Sequence, residues 1–189
     1  LTMQQNRHTN ALRFVSPAGK LLYSQPAQFN TDSFDFSRKI GVGKGYKNSK
    51  DSLLMTPFDF SWHNNVSLFN FQQMLQSVLF PESFPPSRRF NLTRKDQTFL
   101  KYWMSALPSE TDDPKYDTAT FFDNYVKFFF YDGSHRMPAG IRVFNKVGWA
   151  YGFMTDVSYV IDTKNNIEYM LSATVYVNSD GILNDDNYD

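Results

Sequence analysis

The sequence predicts an α+β protein in which a helical block is followed by a three-stranded antiparallel meander. Two segments in the middle of the chain carry apolar residues at helical spacing, whereas the last third carries them at every second position. Because helices and strands occupy separate parts of the chain, they indicate the α+β class and not alternating βαβ units. With 41% hydrophobic and 17% aromatic residues, the 189-residue chain can bury a substantial core.

The N-terminal part, residues 1–58, is predicted to form a basic region with a hairpin and loops. Two extended segments within residues 11–29 flank Pro17 and Gly19, which are typical turn residues. Residues 41–50, GVGKGYKNSK, match neither the dinucleotide-binding fingerprint nor the P-loop pattern. We therefore expect an exposed loop there and no phosphate site.

Two helices are predicted in the middle of the chain. In SLFNFQQMLQSVLF, Ser67 is placed to cap a helix that the prolines from Pro81 onward end. In NLTRKDQTFLKYWMSALP, Thr93 and Asp96 have the spacing of a capping box. The residues expected to be buried are Leu68, Phe71, Leu75 and Val78 in the first helix, and Phe99, Leu100, Trp103, Met104 and Leu107 in the second.

The pattern of the aromatic segment TFFDNYVKFFFYDG, residues 120–133, fits more than one secondary structure. We predict a well-buried helix there, with a strand as the alternative.

The last third changes to strand periodicity. IRVFNKVG alternates, and so do the stretches 151–161 and 167–177, which are separated by the turn sequence DTKNN. These segments predict three consecutive antiparallel strands. Such a sheet leaves an edge that we expect a missing N-terminal segment, the hairpin at residues 11–29 or another copy of the chain to cover.

Composition excludes several classes of site. The chain has no cysteine, which rules out disulfides, thiol catalysis and Cys-type zinc sites. The three histidines are far apart in sequence, so we expect no metal site; no cofactor is predicted. No apolar run is long enough to predict a membrane span.

Charge is distributed unevenly along the chain. The first 50 residues contain eight Lys/Arg and two Asp, although the whole chain is neutral. Nucleic-acid binding by this basic part is a minor alternative, and we expect no nucleic-acid partner. The sequence begins Leu-Thr-Met without an initiating methionine, which leads us to expect a truncated, processed or partly assigned chain.

Lys146-Val147-Gly148, on the first strand of the predicted meander, resembles the Lys-Thr-Gly element of class A β-lactamases and penicillin-binding proteins. Gly152 and the Thr155-Asp156 pair follow, and then an apolar strand, a hairpin and a second apolar strand. The resemblance is strongest over residues 144–184 and is closest to uncharacterised members of Bacteroidetes type. It implies that residues 59–189 form part of a β-lactamase/transpeptidase-like fold, namely its late helices and closing strands.

The resemblance implies a role for each matching residue. Lys146 would be the catalytic cation, Val147, Gly148 and Trp149 would bind substrate, and the backbone N–H of Trp149 would be an oxyanion-hole donor. Gly152 and Asp156 are expected to be structural. The implied substrates are acyl compounds such as peptidoglycan peptides or β-lactams, in a periplasmic or surface-anchored protein.

Two shared elements of that family are missing from this sequence. No serine is followed three residues later by lysine, and no Ser-Asp-Asn occurs. Both elements precede the lysine motif in family order, so we expect them upstream of Leu1. The alternative is a non-catalytic binding module derived from the same fold, with residues 121–131 and 38–50 as candidate contact regions.

Overall fold

A computed structural model describes residues 7–32, 37–63 and 65–188. The chain forms two compact units, residues 1–65 and 66–189. Within the described residues there are two α-helices and several small antiparallel sheets, which confirms the mixed α+β class. The first unit ends at Asn65 and the second begins at Val66.

The first unit consists of short, largely exposed strand pairs. β2 (Leu12–Val15) and β3 (Leu21–Gln25) form a hairpin around the predicted turn. The remaining pairs join β1 (His8–Thr9) to β4 (Gln28–Phe29), β5 (Gly41–Val42) to β8 (Phe58–Asp59), and β6 (Gly45–Lys47) to β7 (Leu53–Leu54).

The expectation of one exposed loop over residues 41–50 is wrong. The segment contains β5 and β6, and Gly45 is buried. Its glycines and lysines are typical of a solvated loop. Its β-strand conformation depends on pairing with β8 and β7, which lie later in the sequence.

The first helix of the second unit, α1, spans Leu68–Leu79 and begins where the sequence predicts. The Ser67 side chain accepts a hydrogen bond from the backbone N–H of Asn70 and thus caps the helix. Leu75 and Leu79 are buried and form a core cluster with Val157 of the sheet.

The second helix, α2, spans Arg94–Ser105, and its capping box is confirmed. Thr93 accepts from the N–H of Asp96, whose carboxylate accepts from the N–H of Thr93 at 2.8 Å. The predicted buried stripe is wrong at two positions, because Phe99 is 60% and Trp103 42% exposed.

The largest sheet contains β9 (Ile141–Ala150), β10 (Phe153–Asp162) and β11 (Ile167–Tyr176), in the order β11-β10-β9. Both pairings are antiparallel and keep one register over ten residues. β10 is therefore central, and β9 and β11 are edge strands. A last short strand, β12, spans Ile182–Leu183.

The two faces of this sheet differ in character. Phe144, Tyr159 and Met170 lie on the face that packs against the core cluster of α1. Because side chains alternate along a strand, Asn145 and Ser158 lie on the opposite face. One face is therefore an apolar core, and the other carries buried polar groups.

The aromatic segment 120–133 forms neither the predicted helix nor the alternative strand. It consists of turns with one short 3-10 helix, Phe128–Phe130. Its fully buried positions are the polar Asn124 and Lys127, whereas Phe121 and Tyr125 are each 39% exposed. Further 3-10 helices span Pro81–Ser83, Pro86–Arg88 and Pro108–Glu110.

Candidate functional site

The outer edge of β9 is where the sequence-predicted site residues lie. Thr163 donates its N–H to the carbonyl of Gly140 at 2.9 Å, which continues the β9–β10 register by one pair. In an antiparallel ladder, residue pairs that are hydrogen-bonded to each other alternate with pairs whose backbone N–H and C=O groups point away from the partner strand. The even-numbered residues of β9 therefore bond to β10, and the odd-numbered ones direct their N–H and C=O groups outward.

Two side-chain contacts agree with this pattern. The carbonyl of Val143 accepts from the ammonium of Lys127 at 3.1 Å, and that of Val147 accepts from the ammonium of Lys146. Trp149 is odd-numbered, so its N–H points to the same outer edge. The edge thus presents a lysine ammonium, bound at the Val147 carbonyl, and the backbone donor of Trp149, two residues further along the strand.

Lys146 lies opposite Val157, on the sheet face against which α1 packs, but its own side chain is exposed. The Trp149 side chain is 68% exposed, and the part that the resemblance assigns to this residue is that of its backbone N–H. Of the described residues, a Cβ added to Gly148 would meet only the Cβ of Thr155, at 4.0 Å. The space above Gly148 is therefore open to an approaching molecule.

Gly152 and Asp156, which the resemblance predicts to be structural, do not lie on β9 itself. Gly152 is in the two-residue turn between β9 and β10, where Tyr151 has φ +56° and Gly152 φ +79°. These dihedrals fit the type I′ hairpin, which favours glycine. Asp156 is 2% exposed and lies opposite Val147 in the register.

A buried polar network surrounds Asp156. Its carboxylate accepts from the amide of Asn145 at 2.9 Å, from the hydroxyl of Ser158 at 2.9 Å and from the backbone N–H of Phe128 at 3.2 Å. Burial raises the pKa of the Asp156 carboxyl, and these hydrogen bonds together with the charge of Lys127 act in the opposite direction.

Lys127 completes the network and is only 3% exposed. Its ammonium donates to the carbonyls of Met104 and Val143, at 2.8 and 3.1 Å, and to Oδ1 of Asn145, at 2.7 Å. Burial lowers the pKa of Lys127 to about 8, while the charge of Asp156 acts against that shift.

Sequence reasoning missed Lys127 and Asn145. The available signal was a single lysine inside the aromatic run YVKFFF, since a charge in such a run needs buried partners. The second signal was an asparagine between Val143 and Val147 on one face of a strand.

A cavity of about 340 Å³ lies beside α2 and the aromatic segment. Its walls are mainly apolar and include Trp103, Tyr116, Phe121, Tyr125 and Val126. Lys146 and Trp149 do not line it. It is therefore separate from the outer edge of β9.

Within residues 7–32, 37–63 and 65–188, no three His, Asp or Glu residues are grouped closely enough to bind a metal ion. In the same ranges no helix combines the length and apolar character needed to cross a membrane. Compared with protein-family models, with curated proteins and with solved structures, the chain gives no match.

Proposed function

We propose that this chain is the C-terminal portion of a β-lactamase-like serine hydrolase and that the outer edge of β9 is one wall of its acyl-binding site. The observation that carries the proposal is that the Lys146 ammonium, bound to the outward carbonyl of Val147, and the backbone N–H of Trp149 lie on the same outer edge of β9. The α+β arrangement of helices followed by β9, β10 and β11 is compatible with a β-lactamase/transpeptidase-like fold.

Each group on this edge suits acyl transfer. When a nucleophile attacks an acyl carbon, negative charge develops on the acyl oxygen, and a fixed backbone N–H such as that of Trp149 stabilises it. Removal of one such donor typically lowers the rate by about 10²–10³. The charge of Lys146 favours an anionic substrate and an ionised serine nearby.

The remaining features of the edge suit an extended substrate. The outward carbonyl of Val147 accepts from Lys146 and is placed to accept from a peptide N–H. The open space above Gly148 lets a substrate backbone approach closely. Val147 has no hydroxyl, so it offers no hydrogen bond to a substrate carboxylate.

The nucleophile in this proposal comes from outside the 189 residues, since they contain neither Ser-x-x-Lys nor Ser-Asp-Asn. The substrates would be acyl compounds such as cell-wall peptides or β-lactams. The family's chemistry needs no metal or organic cofactor, and by resemblance the protein would act in the periplasm or at the cell surface.

A non-catalytic binding module is the second candidate. The aromatic cavity beside Phe121 and Tyr125 favours it, because mainly apolar concave sites are typical of ligand binding. In that case the sheet would serve as a scaffold, and Lys146 would contribute only charge.

The experiment uses the complete natural gene product that contains this chain. The proposal predicts that the coding sequence upstream of Leu1 encodes Ser-x-x-Lys and then Ser-Asp-Asn, and that a fluorescent penicillin or a stem-peptide thioester labels the protein. Lys146→Ala should reduce labelling at least tenfold. Lys164→Ala, which removes an exposed lysine from the β10–β11 turn, is the matched control.

Two results would decide against the hydrolase. The first is a complete gene product without the serine motif, and the second is labelling that is equal in the Lys146 and Lys164 variants. Binding of either compound without acylation would favour the binding module.

A further inference from the structure

The buried ammonium of Lys127 joins three separate parts of the second unit. It lies in the aromatic segment, and its acceptors are the carbonyl of Met104 in α2 and two groups of β9, the Val143 carbonyl and the Asn145 side chain. An ammonium has three N–H donors. All three are therefore used, and each bond has ordinary hydrogen-bond length.

The charge of Lys127 also fixes the orientation of the Asn145 amide. Because an ammonium only donates, Oδ1 of Asn145 must face Lys127, and its NH₂ group must face the other way. That NH₂ donates to the carbonyl of Val126 at 2.7 Å and to Asp156 at 2.9 Å. Asn145 thus connects the buried cation to the buried anion, with every donor and acceptor matched.

We propose that Lys127 is a positioning residue that holds the outer edge of β9, from Val143 to Trp149, in one arrangement relative to α2. This inference rests on the proposed function, because the edge it holds is the proposed acyl-binding wall. The two β9 groups that it binds lie three residues and one residue before Lys146.

The position of the Lys127–Asn145–Asp156 network supports a role beyond stabilising the fold. Burying two opposite charges that are connected only through Asn145 is costly, and well-packed apolar residues often stabilise a fold equally well. An edge strand has a partner on one side only, so its outer groups need another anchor if they are to stay fixed. The Lys127 ammonium provides that anchor on the outer edge itself, at the carbonyl of Val143.

The first measurement tests whether Lys127 holds the edge. The chain contains three tryptophans, so ¹⁵N-tryptophan labelling gives three backbone amide signals. Trp149 reports on β9, Trp103 on the end of α2, and Trp62 on the first unit. In Lys127→Met we expect the Trp149 and Trp103 signals to shift or broaden and the Trp62 signal to stay unchanged.

Lys164→Met is the matched control and should leave all three signals in place. If Lys127→Met does not fold, the double variant Lys127→Met/Asp156→Asn removes both buried charges and is measured instead. An unchanged Trp149 signal in a folded variant would overturn the proposal.

The second measurement tests whether the held edge matters for the reaction. Saturation kinetics of acylation on the complete gene product separate the initial binding constant from the acylation rate constant. A mispositioned backbone donor should lower the acylation rate constant at least tenfold and leave initial binding nearly unchanged. A loss of affinity with an unchanged rate constant would overturn the positioning role.

The two measurements also distinguish this inference from the proposed function. If the unmodified gene product is not acylated, the hydrolase proposal fails and the reaction role of Lys127 fails with it. If acylation occurs and depends on Lys146 but not on Lys127, only the present inference fails.

Discussion

Substituting Gly152 by alanine should destabilise the second unit more than its backbone conformation alone requires. A Cβ at Gly152 would lie 2.8 Å from the Cβ of Asn178 and 3.1 Å from both the Val177 carbonyl and a ring carbon of Tyr188. Asn178 is buried, and its side chain is held by hydrogen bonds to Gly181 and Ile182, each 2.8 Å long. The added methyl group therefore meets atoms that cannot easily move away.

The expected magnitude has two parts. A left-handed backbone conformation costs an L-residue about 1–2 kcal/mol, and overpacking a well-filled site typically costs about 1–3 kcal/mol more. Gly152→Ala should thus lower the free energy of unfolding by about 2–5 kcal/mol.

Gly133 provides the matched control. It has the same φ of +79°, and a Cβ there would meet no atom of the described residues within 4 Å. Gly133→Ala should therefore show only the backbone cost, about 1–2 kcal/mol. Urea unfolding followed by circular dichroism measures both values, and equal losses in the two variants would refute the packing argument.

Three further predictions concern single side chains. Thr93→Ala removes the side-chain acceptor of the capping box with Asp96 and should lower the unfolding free energy by about 1 kcal/mol in urea titrations; no loss would show that the cap does not stabilise α2. Because burial lowers the pKa of Lys127 to about 8, the unfolded chain binds the extra proton at pH 8–10, and stability should rise with pH. Relative to Lys127→Met, the unmodified chain should gain about 1 kcal/mol from pH 7 to pH 9, and a flat or falling difference would contradict the burial argument. Arg142→Leu should cost less than about 1 kcal/mol at pH 7, because its 2.7 Å ion pair with Glu110 is partly exposed and screened. The hydrogen bond from Arg142 holds the pKa of Glu110 below its usual value, so the cost should shrink as the pH falls below about 4. A cost that stays constant down to pH 3 would be inconsistent with this ion pair.

Local patterns predicted much of the second unit. The helix boundaries could be predicted from Ser67, Thr93 and the prolines, because helix capping and helix termination depend on residues a few positions apart. Strand segments in the last third followed from their two-residue period for the same reason. The burial of Leu75 also agrees with its place on the apolar face of α1.

The parts that the sequence did not predict depend on distant partners. The segment around Lys127 is fixed by acceptors in α2 and β9, which lie 16 to 23 positions away along the chain. Its aromatic residues have no single period, so neither helix nor strand could be assigned correctly. Phe99 and Trp103 follow helical spacing yet remain exposed, because periodicity identifies an apolar face and does not show what covers it.

The candidate site was predictable only in part. The resemblance over residues 144–184 pointed to Lys146, Gly148 and the N–H of Trp149, and β9 is an edge strand with that N–H on its outer side. The buried connection from Lys127 through Asn145 to Asp156 had no motif to indicate it. It emerged from three-dimensional contacts between segments that sequence spacing does not relate.

Mass spectrometry that locates the acyl group decides between the hydrolase and the binding module. The complete gene product is incubated with penicillin, digested and mapped. If the chain is part of a β-lactamase-like serine hydrolase, one acylated serine is expected within a Ser-x-x-Lys element upstream of Leu1, at a rate that falls at least tenfold in Lys146→Ala. An acyl group on any of these 189 residues, or no acyl group at all, would contradict the hydrolase proposal.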